Sequence, residues 1–285
     1  MTTARTVLTM AALTLREASR RRVLLAVAVL TLTLLGLSWW GFSRLAAESD
    51  SGGLTSGEAR LAASVVLNIV MFGFSLIAAL GTAFLAGPTL SGETESGISL
   101  AVLARPIRRS AVLLGKWLGL VVFGTSFVVL AGLAQCLVVW ATVDYWPPQP
   151  AAALALLAAQ TIVLLTLAVL LSTVVSPMAS GVVAVGLFGA TWVAGVVGGI
   201  GAALGNDGVA RVGIVSRMLL PTDGLWRGAM HGLQDSTLMA RLGSGFDGHP
   251  FLSEAPPTAT YLVWVAVWVA MVWGLAAASF VRKDL

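Results

Sequence analysis

Six uncharged apolar runs, each long enough to cross a bilayer, constrain the fold of this chain more than any other feature. A helix needs about 20 apolar residues to span the hydrocarbon core. Each segment in lipid must also satisfy its own backbone hydrogen bonds, which favours helices. Only 11% of the residues are charged and 58% are hydrophobic, as in an integral membrane protein. We therefore predict an all-α integral membrane protein, one domain over 1–285, with six transmembrane helices at residues 23–42, 61–85, 118–140, 152–174, 181–204 and 260–280.

Lysine and arginine are divided unequally between the two predicted faces of the bundle. If both termini are cytoplasmic, eleven of the 17 basic residues lie inside. Short cytoplasmic loops carry such an excess, so this orientation is the expected one. Arginine also far outnumbers lysine, which suggests a GC-rich bacterial genome. We expect a multi-pass protein of the bacterial cytoplasmic membrane with both termini in the cytoplasm.

Two segments outside the spans carry helical patterns. Residues 4–20 place apolar side chains at helical spacing beside charged ones, which predicts an N-terminal interfacial helix. Residues 205–259, before the sixth span, are predicted to be a helical extracytoplasmic segment. Short helices are expected there over 209–220, stopped by a proline, and over 225–242, stopped by a glycine.

Four glycines in and just after the fifth predicted span form two pairs at a spacing of four residues. Small residues at this spacing let helices approach closely. The pairs could join two subunits or pack helices within one, and the sequence does not decide between these alternatives. They are Gly195 with Gly199 and Gly201 with Gly205.

Several kinds of chemistry are not expected in this chain. It contains no GxxxxGK[ST] loop, so we expect no nucleotide hydrolysis. His231 and His249 do not follow a metal-ligand spacing, and we expect no metal site, cofactor or catalytic residue. No basic run with interleaved aromatics indicates a nucleic-acid partner.

A charged segment, Ser91–Leu118, separates the second and third predicted spans. Its two glutamates are expected in the first turn of a short helix, where carboxylates suit the positive helix end. Pro106 ends that helix, because a residue before proline, here Arg105, is pushed out of helical geometry. This predicts a cytoplasmic amphipathic helix over 91–103. The candidate residues of the segment are Glu93, Glu95, Gly97, Ile98, Val102, Leu103, Arg105, Pro106, Arg109, Gly115 and Lys116.

This segment resembles the signature of ABC-2-type permeases, the membrane subunits of type-2 ATP-binding-cassette transporters. The resemblance lies in E-x-E-x-G, R-P-x-x-R and G-K leading into a span, and the six-span layout extends it to the whole chain. The stretch 219–228 also resembles a motif of one branch, which includes permeases serving copper-site maturation of nitrous oxide reductase. Pro221, Asp223 and Arg227 are its candidate residues.

The resemblance implies a set of partners. Residues 91–103 would be the coupling helix that docks on a separate ABC ATPase, present in two copies and carrying ATP and magnesium. A second permease copy, in a homodimer or beside a related chain, would complete the pathway. Membrane lipid surrounds the complex, and the branch resemblance suggests an extracytoplasmic partner protein.

Cargo and mechanism are less constrained. The polar groups in the predicted spans are hydroxyls and the amides of Asn68, Gln135 and Gln160, which favours export of an apolar or amphipathic substrate. Each amide is as well explained as a contact between helices. Two alternative functions remain: a membrane scaffold that recruits another cytosolic protein, and an ion-driven carrier. The carrier is disfavoured because the predicted spans contain no Asp, Glu, Lys, Arg or His.

Overall fold

The computed structural model describes residues 3–20, 23–52, 56–95, 109–235, 249–253 and 255–282. Regular secondary structure in these ranges is helical throughout. The helices are α1 (Thr3–Ala18), α2 (Val23–Asp50), α3 (Ser56–Glu95), α4 (Arg109–Val143), α5 (Pro150–Val174), α6 (Pro177–Ala203), α7 (Asp207–Leu219), α8 (Thr222–Leu233) and α9 (Ala259–Arg282).

Six of these helices, α2 to α6 and α9, are long and apolar enough to cross a membrane, which confirms the predicted number of spans. They run alternately up and down. We call the end where α2 finishes and α3 begins the distal end, and the end that holds α1 and the last turn of α9 the proximal end.

The spanning helices extend beyond the apolar runs that predicted them, and this corrects one expectation. Helix α4 begins at Arg109 rather than near residue 118, so it includes Lys116. That lysine is only 5% exposed. The apolar run marks the lipid-facing stretch, whereas the helix continues through 109–117 because nothing there breaks it. The predicted span 118–140 itself holds no charged residue, and Arg109 and Lys116 lie in the turns by which α4 extends before it.

Helix α3 is a single helix of 40 residues. The sequence predicted a new helix starting at Ser91 or Gly92, and this start is wrong, because α3 continues through Pro88 to Glu95. Proline is tolerated in helices of membrane proteins, where neighbouring groups satisfy the freed carbonyl. Six of the candidate residues of the Ser91–Leu118 segment lie outside the described residues. They are Gly97, Ile98, Val102, Leu103, Arg105 and Pro106.

The predicted N-terminal helix is present as α1, and it packs on the first turns of α4. Glycines in α4 make this approach possible. A Cβ added to Gly115 would lie 2.7 Å from the carbonyl oxygen of Val7, and one on Gly119 would lie 2.7 Å from that of Ala11. On its other side α1 exposes Leu8, so the helix keeps the amphipathic character that predicted it.

Helices α7 and α8 form a hairpin inserted among the spanning helices. Helix α7 runs antiparallel to α6, with Gly201 of α6 against Val209, Gly198 against Gly213, and the carbonyl of Thr191 accepting from Ser216 Oγ at 3.3 Å. Thr191 lies 12 residues before the end of α6, which is about 18 Å along the helix. The hairpin therefore reaches deep into the distal half of the bundle, whereas the sequence predicted an external segment.

The return helix of this hairpin belongs to the protein core. Trp226, Leu225 and Met230 of α8 are at most 1% exposed. Helix α8 begins at Thr222, three residues before the predicted start, and ends at Leu233 rather than at residue 242. The proline at 221 explains the early start, because its backbone is preorganised for the helix entrance. At the other end, Gln234 leaves the helix in an extended conformation.

Candidate functional site

The sequence predicted two sites, and they lie at opposite ends of the bundle. At the proximal end, Glu93 and Glu95 occupy the last turn of α3, and Arg109 is the first residue of α4. The guanidinium of Arg109 donates to the carbonyl of Val281 at 3.4 Å, near the end of α9. A cation suits the free carbonyls at a helix C-terminus. This contact ties the start of α4 to α9 at the proximal end of the bundle.

Gly115 and Lys116 belong to a different environment from the glutamates. Both are buried within α4, where Gly115 accepts the close approach of α1. The structure therefore separates the predicted coupling residues into those beside the 96–108 segment and those beneath the N-terminal helix. In the second group, Gly115 makes the close approach of α1 possible.

At the distal side, the predicted motif residues form a charge cluster. Asp223 Oδ2 accepts from Arg217 Nε at 2.9 Å and from Arg227 Nε at 3.1 Å. The carboxylate is buried, with 1% of its side chain exposed, while Arg217 and Arg227 are 29% and 18% exposed. Two cations share one anion, so the cluster carries one excess positive charge.

Arg227 also fixes the cluster to α6. Its Nη2 donates to the carbonyl oxygen of Gly195 at 2.7 Å. Gly195 faces the Asp223 carboxylate, which fills the space that a side chain at 195 would need. The glycine therefore makes room for an ion pair within the same chain.

The other predicted packing glycines have different surroundings. Gly201 receives the backbone and side chain of α7 at Val209 and Ala210. Gly205 adopts a positive φ of +67° in the turn between α6 and α7, a conformation that glycine favours. Gly199 is partly exposed on α6. Gly195 and Gly201 thus pack within one subunit, which is one of the two alternatives left open by the sequence.

A ladder of aromatic side chains on α9 holds the tip of the hairpin. Trp268 Nε1 donates to the carbonyl of Leu219 at 2.8 Å, and Trp264 Nε1 donates to that of Met218 at 3.2 Å. The hydroxyl of Tyr261 lies 3.2 Å from the carbonyl of Pro221. The last carbonyls of a helix lack partners within it. The three α9 side chains supply such partners to α7 and to the turn that follows.

Sequence reasoning missed Arg217 and this ladder. Arg217 and Asp223 are six residues apart with a proline between them, and their pairing depends on how the chain turns at Pro221. The ladder has a weak signal, because Tyr261, Trp264 and Trp268 lie at helical spacing on one face of α9.

The three predicted amides connect elements of the protein. Gln160 accepts from Ser75 Oγ at 2.7 Å and donates to the carbonyl of Thr222 at 3.2 Å. Gln135 donates to Ser38 Oγ at 2.6 Å. Asn68 donates to the carbonyl of Phe251 at 2.9 Å. These bonds support the interpretation of the amides as contacts between helices.

A small apolar cavity of about 20 Å³ lies between α2, α3, α4 and α5. Its lining residues include Val27, Ile77, Gly81, Phe123 and Leu165. It offers almost no polar surface, so it suits hydrocarbon and not a hydrated solute.

Comparison with known proteins adds two findings. Residues 8–285 match the family described as "ABC-2 family transporter protein". Over 106 residues the chain is 37% identical to the "Probable ABC transporter permease protein NosY" of Pseudomonas aeruginosa. That alignment covers 37% of this chain and 35% of the relative, so the similarity spans about a third of each protein.

Proposed function

The chain belongs to the ABC-2 transporter family, and from this premise we propose that it is a permease subunit driven by a separate ATPase chain. The family match over nearly the whole chain, together with six long apolar helices, is the observation that carries the proposal. The sequence contains no P-loop, so ATP and magnesium would bind to the partner.

The ATPase would dock at the proximal end, on the segment from Ser91 to Arg109. Helix α3 delivers Glu95 to one side of this segment, and Arg109 begins α4 on the other. The contact between Arg109 and Val281 fixes the second boundary to the bundle. A docked segment held in this way would pass a push from the ATPase directly into α3, α4 and α9. The proximal end is then cytoplasmic, and the hairpin lies on the extracytoplasmic side.

The transport pathway would form between two permease copies. Two of the amides inside one bundle are engaged in contacts between helices, Gln160 with Ser75 and Gln135 with Ser38. Helices α2, α6 and α9 keep most of their apolar surface exposed. These faces are available to lipid or to a second copy. Two ATPase subunits would then drive the dimer between states that differ in nucleotide affinity.

We favour export of an apolar or amphipathic cargo. The small cavity between α2 and α5 agrees with this choice only in its chemistry, because its lining is almost wholly apolar. The similarity to NosY agrees with the resemblance of the 219–228 stretch to that branch of permeases. Service to an extracytoplasmic partner protein is therefore the second candidate function.

The test is co-purification with the P-loop ATPase that a neighbouring gene encodes, followed by measurement of ATP hydrolysis. The double variant Glu93→Arg/Glu95→Arg should dissociate or uncouple the complex, because it reverses two charges at the docking segment. Glu48→Arg, an exposed change at the distal end of α2, serves as the control and should leave ATP hydrolysis unchanged.

Three outcomes would count against the proposal. Failure of any ATPase to associate would favour the scaffold function. If the double variant still formed a fully coupled complex, residues 91–109 would not be the segment on which the ATPase docks. Transport that follows an ion gradient and ignores ATP would favour the carrier.

A further inference from the structure

We propose that Arg217 binds the anionic headgroup of an amphiphile at the inserted hairpin. This inference rests on the proposed function and narrows its substrate class. The headgroup would be a phosphate or carboxylate, and the apolar tail would lie along the exposed face of α7. Cargo and a resident membrane lipid share this chemistry, and the experiment below distinguishes them.

The charges of the cluster do not balance. Asp223 is shared by two guanidiniums, and its carboxylate is fully buried between them. One positive charge is left without a counterion among the described residues of the cluster. Ionisable groups at membrane depth are costly, and they commonly mark sites where a substrate or ion binds.

Arg217 uses fewer of its hydrogen-bond donors than Arg227 does. Arg227 uses Nε on Asp223 and Nη2 on the carbonyl of Gly195. Arg217 uses only Nε on Asp223, and within the described part of the chain its two terminal nitrogens have no hydrogen-bond partner. A guanidinium fork binds phosphate or carboxylate through paired donors. Because Asp223 already orients Arg217, the fork is held in place before a ligand arrives.

The cluster lies well below the distal end of the bundle. Asp223 lies against Gly195, which is eight residues before the end of α6 and so about 12 Å along the helix from its distal end. The tip of the hairpin is deeper still, beside Thr191 and Gln160. The cluster therefore lies beside the apolar part of α6 rather than at its end, at a level that a lipid-like molecule can reach from the side.

The surface around Arg217 is apolar. The neighbouring side chains on the outer face of α7 are apolar and exposed: Ile214 by 54%, Met218 by 46% and Leu219 by 71%. Arg217 itself is 29% exposed among them. A cationic fork within an apolar surface matches a molecule with one anionic head and a hydrocarbon tail. A free inorganic anion would gain nothing from the apolar part.

The experiment uses the purified full-length chain in a non-ionic detergent. It is offered equal amounts of dioleoyl phosphatidylglycerol, which is anionic, and dioleoyl phosphatidylcholine, which has the same tails and no net charge. Native mass spectrometry then measures the ratio of the two lipids retained. Wild-type protein should retain the anionic lipid in excess. Arg217→Gln should reduce that excess by roughly tenfold, as expected for the loss of one charge-assisted contact.

Arg211→Gln is the matched control, because Arg211 is an exposed arginine on the same helix. It should keep the wild-type ratio. Arg217→Lys keeps the charge without the fork, so its ratio should fall between those of the wild type and Arg217→Gln. A merely structural role for Arg217 would not produce this ranking in variants with equal melting temperatures.

Two results would overturn the inference. One is equal retention of both lipids by the wild-type protein, which needs no variant to fold. The other is displacement of the anionic lipid by millimolar inorganic phosphate, because the tail would then contribute nothing. Lipid retention is measured on the permease alone, so a negative result leaves the ATPase association test unaffected.

A second arm separates the two sources of the amphiphile. The complex with its ATPase is reconstituted in phosphatidylcholine vesicles with and without phosphatidylglycerol. If the anionic lipid stimulates ATP hydrolysis by the wild type and not by Arg217→Gln, the amphiphile behaves as cargo. If hydrolysis is equal in both vesicles while retention persists, it is a resident lipid.

Discussion

Gly195 faces Asp223 so closely that a Cβ at position 195 would overlap both oxygens of the carboxylate. The same glycine offers its carbonyl to Arg227, which in turn holds that carboxylate. Gly195 thus leaves room for the contacts that hold the hairpin against α6, the fifth spanning helix. The stability of the hairpin should depend on the space at Gly195.

Gly195→Ala should destabilise the protein by about 3 kcal/mol, because the methyl group displaces a buried ion pair. The control is Gly189→Ala on the same helix, where a Cβ would meet no atom within 4 Å. Alanine is the better helix former by about 1 kcal/mol, so the control should be neutral or slightly stabilising. Unfolding of both variants in mixed micelles, followed by circular dichroism, checks this. Equal stabilities would refute the role given to Gly195.

Asp223→Asn should cost about 3–5 kcal/mol, because it leaves two guanidiniums facing each other without a buried counter-charge. Adding Arg217→Gln should recover part of that loss, since one of the repelling charges is then removed. Asp207→Asn, at the exposed first turn of α7, should cost less than about 1 kcal/mol. Thermal melts of the wild type, the three single variants Asp223→Asn, Arg217→Gln and Asp207→Asn, and the double variant give the comparison. Additive effects of the two changes would contradict the shared-carboxylate arrangement.

Gln160→Leu should destabilise the protein more than Gln135→Leu. Gln160 makes two bonds, one to Ser75 and one to the hairpin at Thr222. Hydrogen bonds between membrane helices contribute about 0.6 kcal/mol on average and up to about 1.7. Gln135 has a buried carbonyl oxygen without a partner among the described residues, and its replacement removes that cost. Chemical unfolding of both variants gives their free energies of unfolding. A smaller loss of stability in Gln160→Leu than in Gln135→Leu would contradict the prediction.

Acidification should loosen the segment around His249. Burial lowers the pKa of His249 below its usual 6.5, and its Nδ1 accepts from the backbone N–H of Phe251 at 3.2 Å. Protonation would remove that acceptor. The unfolded state binds the proton more readily, so the stability from neutral His249 is present above pH 6.5 and is lost as the pH falls below it.

The measurement is the melting temperature at pH 7.5 and at pH 5.5. His249→Asn keeps an acceptor that can reach the N–H two residues ahead, and it does not titrate. The wild type should lose more stability on acidification than this variant. Identical losses in the two proteins would exclude His249 as the titrating group.

The sequence predicted the elements whose physics is local. Bilayer thickness and backbone hydrogen bonding determine the six spans, and all six were found. The importance of Pro221, Asp223 and Arg227 was also suggested, although only by family resemblance. The helix ends were predicted less well, since α3 passes through Pro88 and α4 begins at Arg109.

The contacts of the hairpin could not be derived, because they depend on a turn in three dimensions. Arg217 reaches Asp223 only after the chain reverses at Pro221. The partner of Gly201 is Val209, which lies beyond a turn made by Gly205. The segment 205–259 carries charged residues between two apolar runs, and this pattern predicts a position outside the membrane. It can insert here because Asp223 pairs with both arginines and the carbonyl of Gly195 accepts a further bond from Arg227.

The length of α3 has a mechanical consequence. Its 40 residues form a rod of about 60 Å, and Ser75, which bonds to Gln160, lies near the middle. Ser64 and Asn68 secure the distal arm to Tyr145 and Phe251. With a pivot at Ser75, a tilt of about 10° would displace the far end of the proximal arm by roughly 5 Å. A small rotation of α3 about Ser75 would therefore move its proximal end by about the rise of one helical turn.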